Sequence, residues 1–170
     1  MRSKFLTVVA AVALLAACET APESTGNAQS SGGASAAPQQ SSPSVQIAPG
    51  SQEDLVVNVG DRVFYEYDSS ALTAEARATL EKQAAWMKKF GGVSVTVEGH
   101  CDERGTREYN LALGERRANA AKDYLVALGI NPARVKTISY GKERPAGIGH
   151  NETAWAQNRR AVTVVTGAGS

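Results

Sequence analysis

Two cysteines in 170 residues are too few for a disulfide-built scaffold or a cysteine-rich zinc fold. Charge of one sign is lacking as well. Eighteen Lys and Arg face 17 Asp and Glu, so the chain has none of the basic excess that suits a nucleic-acid binder. The N-terminal apolar run, Phe5 to Ala17, holds 13 residues, short of the roughly 20 that a membrane-spanning helix needs. Residues 19–50 contain no Lys or Arg and only two acids, Glu19 and Glu23. Hydrophobic residues make up 42% of the chain, enough for a core, so global disorder is excluded. The length fits one domain, or one domain with tails.

The unevenness divides the chain into three parts. Arg2 and Lys4 precede the apolar run, the layout of a signal peptide over residues 1–17. Its end, Leu15-Ala16-Ala17-Cys18, resembles the bacterial lipobox, in which small residues precede a cysteine that receives lipid. That resemblance implies that Cys18 becomes an acylated N-terminus, held to lipid by more than one chain and so stably anchored. Glu19 stands where Asp would favour inner-membrane retention in Gram-negative lipoproteins, which points to the outer membrane. Loss of residues 1–17 removes Arg2 and Lys4, leaving 16 basic against 17 acidic residues and a net charge of −1. Residues 18–54 read as a linker. Ser, Gly, Ala, Pro and Gln supply 25 of the 32 residues from 19 to 50, and four of the six prolines fall there. Such a segment buries too little apolar surface to offset its conformational entropy. As a disordered tether it would reach roughly 30 Å.

Residues 55–170 read as one globular domain. Val63 to Asp68 has the aromatic and β-branched content of a strand. Thr73 is placed to cap a helix carrying Ala76, Leu80, Ala84 and Met87 at helical spacing, which Gly91-Gly92 would end. Val93, Val95 and Val97 alternate with polar residues as a second strand. A loop from Gly99 to Gly105 leads to a helix capped by Thr106 and ended by Gly129. Arg134 to Gly141 and Arg160 to Thr166 supply two more strands, with a short helix expected near Glu152–Gln157. The order predicts an α+β fold, βαβαββ, with a four-stranded mixed sheet and both long helices packed on one face.

The chemistry concentrates between Gly99 and Arg117. On the second helix, Leu113, Ala120, Ala121, Tyr124 and Leu128 form an apolar stripe, and Arg117 lies within it. Asn110 shares that ridge, whereas Arg116 groups with Ala112, Asn119 and Asp123 on the wetter face. An arginine on a packing face is costly unless an anion meets it. Asp102, in the loop before the helix, is the natural neighbour. Two readings stand. The pair binds itself and buttresses the loop, or it holds a zwitterion, with the Arg fork on a carboxylate and the Asp on an ammonium. An enzyme is not expected. His100 and Cys101 are adjacent on an extended segment and point to opposite faces, so one does not activate the other. A metal site would need His150 or distant carboxylates, and Gly141-Lys142 lacks the glycine spacing of a phosphate loop, so no metal and no cofactor are expected.

From about Gly60 to Thr166 the chain resembles the outer-membrane protein A (OmpA)-like peptidoglycan-binding domain family. The likeness rests on Gly60-Asp61-Arg62-Val63-Phe64-Tyr65, the Gly99–Arg117 segment, Ile138-Ser139-Tyr140-Gly141-Lys142-Glu143-Arg144-Pro145, and Asn158-Arg159-Arg160-Ala161-Val162. The resemblance implies non-covalent binding of peptidoglycan through the meso-diaminopimelate of its stem peptide. By motif position Asp102 and Arg117 match the pair that grips the ammonium and carboxylate groups. Arg104, Thr106, Tyr109, Asn110 and Leu113 match other pocket positions, and Tyr67 and Asp68 match an aromatic–acid pair at the rim. Asn158, Arg159 and Arg160 match positions that stabilise the domain. The resemblance further implies a Tol–Pal envelope system supporting constriction at division, with periplasmic TolB as partner. Under a second reading, TolB binding alone is the role, without wall contact. Cys101 departs from the Ala or Thr of many relatives; it is either a small buried filler or an exposed thiol able to cross-link dimers.

Overall fold

A computed structural model describes residues 47–167. The signal segment, Cys18 and most of the linker lie outside the described residues. Ordered structure starts ahead of the expected boundary at 55. Ser51 caps a single turn, α1 (Gln52–Asp54), its side chain accepting from the Asp54 N–H, and a π-helical stretch continues over Leu55–Val59. This segment is held by side chains. The Gln52 amide accepts from the Val165 N–H at 2.7 Å, and Trp86 Nε1 donates to Asp54 at 2.9 Å.

The strands β1 (Arg62–Phe64), β2 (Ser94–His100), β3 (Val135–Gly141) and β4 (Arg160–Gly167) form one sheet in the order β1-β4-β2-β3. β2 and β3 are parallel; β4 runs antiparallel to both β1 and β2. The long helices α2 (Ala74–Lys89) and α3 (Arg107–Ala127) follow β1 and β2, and a short α4 (Glu152–Asn158) precedes β4. α3 lies on β2 and β3, while α2 lies against β1 and α3. Their shared core joins Leu80, Ala84 and Met87 of α2 to Ala118, Ala121 and Leu125 of α3, over Val63, Val95, Val97 and Val135 of the sheet. The mixed four-stranded sheet with both long helices on one face is therefore present as the pattern predicts.

Two features differ from the sequence pattern. The first strand stops at Phe64 rather than Asp68. Tyr65 N–H still bonds to Arg159 O, but Ser69 N–H then closes a turn on Glu66 O, and Asp68 sits at a left-handed φ of 52°. Tyr67 and Asp68 thus belong to a turn, which aims them at α3. The buried stripe of α3 is also rotated, running through Leu113, Gly114, Arg117, Ala118, Ala121 and Leu125, with Ala120 only partly buried. The cause is a close helix–sheet contact. A Cβ on Gly99 would stand 1.8 Å from Gly114 O, so only glycine lets α3 settle this near β2. That contact brings the first turns of α3 directly over the end of β2.

Candidate functional site

The loop from Cys101 to Gly105 is fixed from several sides. Asp102 accepts the Arg104 N–H at 3.1 Å, an Asx turn, and Gly105 takes a φ of 90° that favours glycine. Thr106 caps α3 by accepting from Tyr109 N–H. The Asn110 amide, buried, donates to Arg104 O at 2.8 Å and Thr106 O at 3.0 Å. Lys142 Nζ donates to the carbonyls of Glu103 and Gly105 at 3.1 and 2.7 Å.

Beside this loop is a cavity of about 260 Å³ lined by Tyr67, Asp68, Cys101, Asp102, Arg104, Gly105, Tyr109, Asn110, Leu113 and Arg117. Eight of the nine residues that the family resemblance marks as ligand-binding line this one cavity; Thr106 acts instead as the helix cap. Tyr67 and Tyr109 are exposed at the rim, and the Tyr109 hydroxyl donates to the Asp68 carboxylate.

Asp102 and Arg117 face the same cavity but do not pair. Arg117 is 1% exposed and binds backbone carbonyls: Nε donates to Ser69 O at 2.8 Å, Nη1 to His100 O at 2.8 Å, and Nη2 to Glu66 O at 3.1 Å. Tyr65 hydroxyl donates to Arg117 O, and the Tyr65 ring lies 5.2 Å from the guanidinium. Three of the five N–H groups of this fork are engaged by carbonyls, and the Cys101 thiol is a further neighbour. Burial pushes its pKa down, against the pull of Cys101, Tyr65 and Asp102.

Asp102 pairs instead with Arg104, whose Nε and Nη2 approach its two oxygens at 3.1 and 2.6 Å. A second guanidinium, Arg159, stands with Nη1 3.5 Å from Oδ2. Burial pushes the Asp102 carboxyl up, but the Arg104 side chain and backbone, aided by Arg159, outweigh it and hold the carboxyl below its usual range. The simple Asp102–Arg117 buttress is therefore replaced by an Asp102–Arg104 one.

Three contributors escape a reading of the sequence. Arg159 holds Tyr65 O at 3.1 Å and Glu152 at 2.6 Å, so a residue expected only to stabilise the domain also backs the carboxylate. The Arg104 guanidinium lies over the Trp155 ring and over the Tyr67 ring, 4.1 Å from each centroid. The Trp155 indole N–H donates to Glu103 at 2.9 Å, and His150 Nδ1 lies 2.7 Å from the same carboxylate. Nothing in the local pattern around Trp155 signals its contacts with Glu103 and Arg104, which lie about 50 residues earlier in the chain. Cys101 is buried, its thiol donating to Asn110 O at 3.3 Å and its pKa pushed up by burial, which favours the filler and overturns the exposed thiol. The His100 ring lies elsewhere, against Tyr140 at 5.6 Å. Among the described residues no group of three or more His, Cys, Asp or Glu could hold a metal ion.

Residues 64–159 match the model of the OmpA family. The chain is 58% identical over 122 residues to the peptidoglycan-associated lipoprotein of Rhizobium meliloti, covering 72% of this chain and 69% of that one. It is 57% identical over 121 residues to the protein of the same name from Brucella melitensis, covering 71% and 72%. The crystal structure of the peptidoglycan-associated lipoprotein from Burkholderia pseudomallei superimposes with a TM-score of 0.61 at 40% identity, over 62% of this chain and 90% of that one. The C-terminal domain of Helicobacter pylori MotB, at 22% identity and a TM-score of 0.58, shares the fold.

Proposed function

The chain belongs to the OmpA family, within its peptidoglycan-associated lipoproteins, and from that premise we propose that its pocket binds peptidoglycan non-covalently by holding the zwitterionic end of meso-diaminopimelate. One observation carries this reading: a buried carboxylate and a buried guanidinium, Asp102 and Arg117, open onto one small cavity without neutralising each other. An ammonium at Asp102 and a carboxylate at the Arg117 guanidinium would meet opposite charge in a poorly solvated place, where charge-assisted hydrogen bonds are strong. Asn110 and Leu113 supply a polar and an apolar wall, and Tyr67, Asp68 and Tyr109 the rim. The activity is binding and not catalysis.

In the same reading, residues 55–170 are the binding domain, 1–17 a signal peptide and 18–54 a tether. Acylated Cys18 holds the protein to outer-membrane lipid, with the domain facing the periplasm. The whole links outer membrane to cell wall as part of a Tol–Pal system with TolB, supporting envelope integrity and constriction at division. These finer parts rest on the lipobox and on the family resemblance.

Co-sedimentation with isolated sacculi tests the reading. Arg117→Glu is a poor probe, because it would strip three backbone carbonyls of their donor. Asp102→Asn keeps the shape and removes the charge. We expect it to lower sacculus binding by at least about tenfold, a loss on the scale of one charge-assisted contact. Undiminished binding by this variant would overturn the site.

A further inference from the structure

The Asp102 carboxylate is already partnered: three hydrogen bonds from Arg104 reach it and a second guanidinium stands 3.5 Å away. A carboxylate offers about four lone-pair positions. Oδ1 accepts from Arg104 N–H at 3.1 Å and from Arg104 Nε at 3.1 Å. Oδ2 accepts from Arg104 Nη2 at 2.6 Å and faces Arg159 Nη1 at 3.5 Å. An arriving ammonium therefore competes with cations already beside the carboxylate. The two guanidiniums differ in how firmly they are held. Arg159 is 6% exposed at its side chain and is tied to Tyr65 O and to Glu152. Arg104 is 30% exposed at its side chain and stands at the cavity wall, its only other anchors among the described residues being the rings of Tyr67 and Trp155 and a Glu152 carboxylate oxygen 4.0 Å from Nη1.

We propose that Arg104 is an internal competitor for Asp102: its guanidinium occupies the carboxylate in the free protein, and a ligand ammonium binds by exchanging with it. The inference rests on the zwitterion reading of the pocket and deepens it. The surroundings suit an exchange. The guanidinium lies over two aromatic rings that hold a cation wherever it shifts along them, and a Glu152 carboxylate oxygen stands 4.0 Å from Nη1 to receive it. Arg159 Nη1, buried and without a hydrogen-bond partner, stays beside Asp102 and keeps a positive charge next to it throughout. Arg104 becomes a specificity residue in consequence. A lone amine has to beat a two-pronged, charge-assisted pair with a single cation and fails. A ligand that also gives a carboxylate to Arg117 has a second hold and succeeds. The pocket thereby selects amino-acid zwitterions over simple amines, through a cation of its own.

The test is a calorimetric titration of the full-length chain in detergent with two stem tripeptides, one ending in meso-diaminopimelate and one in lysine, which carries the ammonium without the second carboxylate beside it. Arg104→Gln should bind the diaminopimelate peptide about tenfold more tightly than the wild type and gain at least as much for the lysine peptide. Arg104→Lys keeps the charge without the fork and should gain less, about threefold, which serves if the glutamine variant is unstable. If the wild type binds the diaminopimelate peptide and neither variant gains, Arg104 is an ordinary ligand contact; the exchange is then overturned while the pocket reading stands. If the wild type binds neither peptide, the zwitterion reading itself falls and takes the exchange with it.

Discussion

Helices α2 and α3 share one layer over one sheet face, but they meet it with different chemistry. α2 buries Ala76, Leu80, Ala84, Trp86 and Met87, with Gln83 as its single buried polar side chain. That amide is satisfied, donating to Gly60 O and accepting from Thr163 Oγ1. The first half of α3 buries Asn110, Gly114 and Arg117 beside Leu113, and only its second half returns to Ala118, Ala121 and Leu125. Apolar area holds α2. A net of hydrogen bonds to backbone carbonyls holds the start of α3. Such a net fixes each polar group to one place, and a group so fixed can face a cavity without collapsing onto its neighbour. The cavity beside Asp102 and Arg117 lies at the end of the layer where packing by area gives way to packing by direction.

The contrast can be broken by substitution. The largest effect belongs to α2. Leu80→Ala, at a 1% exposed position, should lower unfolding free energy by about 2–5 kcal/mol in urea titration and leave the dissociation constant for sacculi unchanged. A change in binding would mean that the two halves of the layer are coupled.

The second effect belongs to the polar end and depends on pH. His100 is buried, with neither ring nitrogen hydrogen-bonded among the described residues, and its pKa is pushed down to about 4, first by burial and then by Arg160 and Arg144. The Glu98 carboxylate, 3.7 Å away, does not offset this. The unfolded chain, with an ordinary histidine, takes up its proton near pH 6.5 and the folded chain only near 4. The stability is therefore present above pH 6.5 and drains away as pH falls toward 4, by up to about 3 kcal/mol. His100→Leu should flatten the stability profile between those limits; an unchanged slope would acquit this residue.

The smallest effect sharpens the comparison most. Thr73 and Thr106 make the same cap on α2 and α3, accepting from Ala76 N–H and Tyr109 N–H. Replacing either with Ala should cost about 1 kcal/mol of stability. Thr106→Ala should also weaken sacculus binding a few-fold, because the Thr106 cap holds the turn carrying Tyr109 and Asn110, while Thr73→Ala should not. Equal binding by both variants would separate the cap from the pocket.

These contrasts track what could be read from the chain. Helix spans, caps and strand alternation follow from neighbours a few residues apart, and Thr73, Thr106, Val95 and Val97 all stand where spacing puts them. Proximity of Asp102 to the first turns of α3 also follows, since a short loop joins them. The face of α3 is less readable. Its stripe is set by the Gly99–Gly114 approach, and a glycine carries no apolar weight in a periodicity count. Partner choice is not readable at all. Asp102 and Arg117 look complementary in a linear motif, yet Arg104 reaches the carboxylate first, while Ser69 and Glu66 carbonyls from a distant turn take Arg117.

Local rules thus sufficed for the elements and for the residues that gather at one loop, because propensity, capping and hydrophobic period act within a turn or two of chain. The strand order, the carbonyl cradle of Arg117 and the contact of Arg104 with both Tyr67 and Trp155 required the folded chain. Each depends on groups 30 or more residues apart along at least one of its contacts, and only close packing decides which of several possible partners arrives within hydrogen-bond distance.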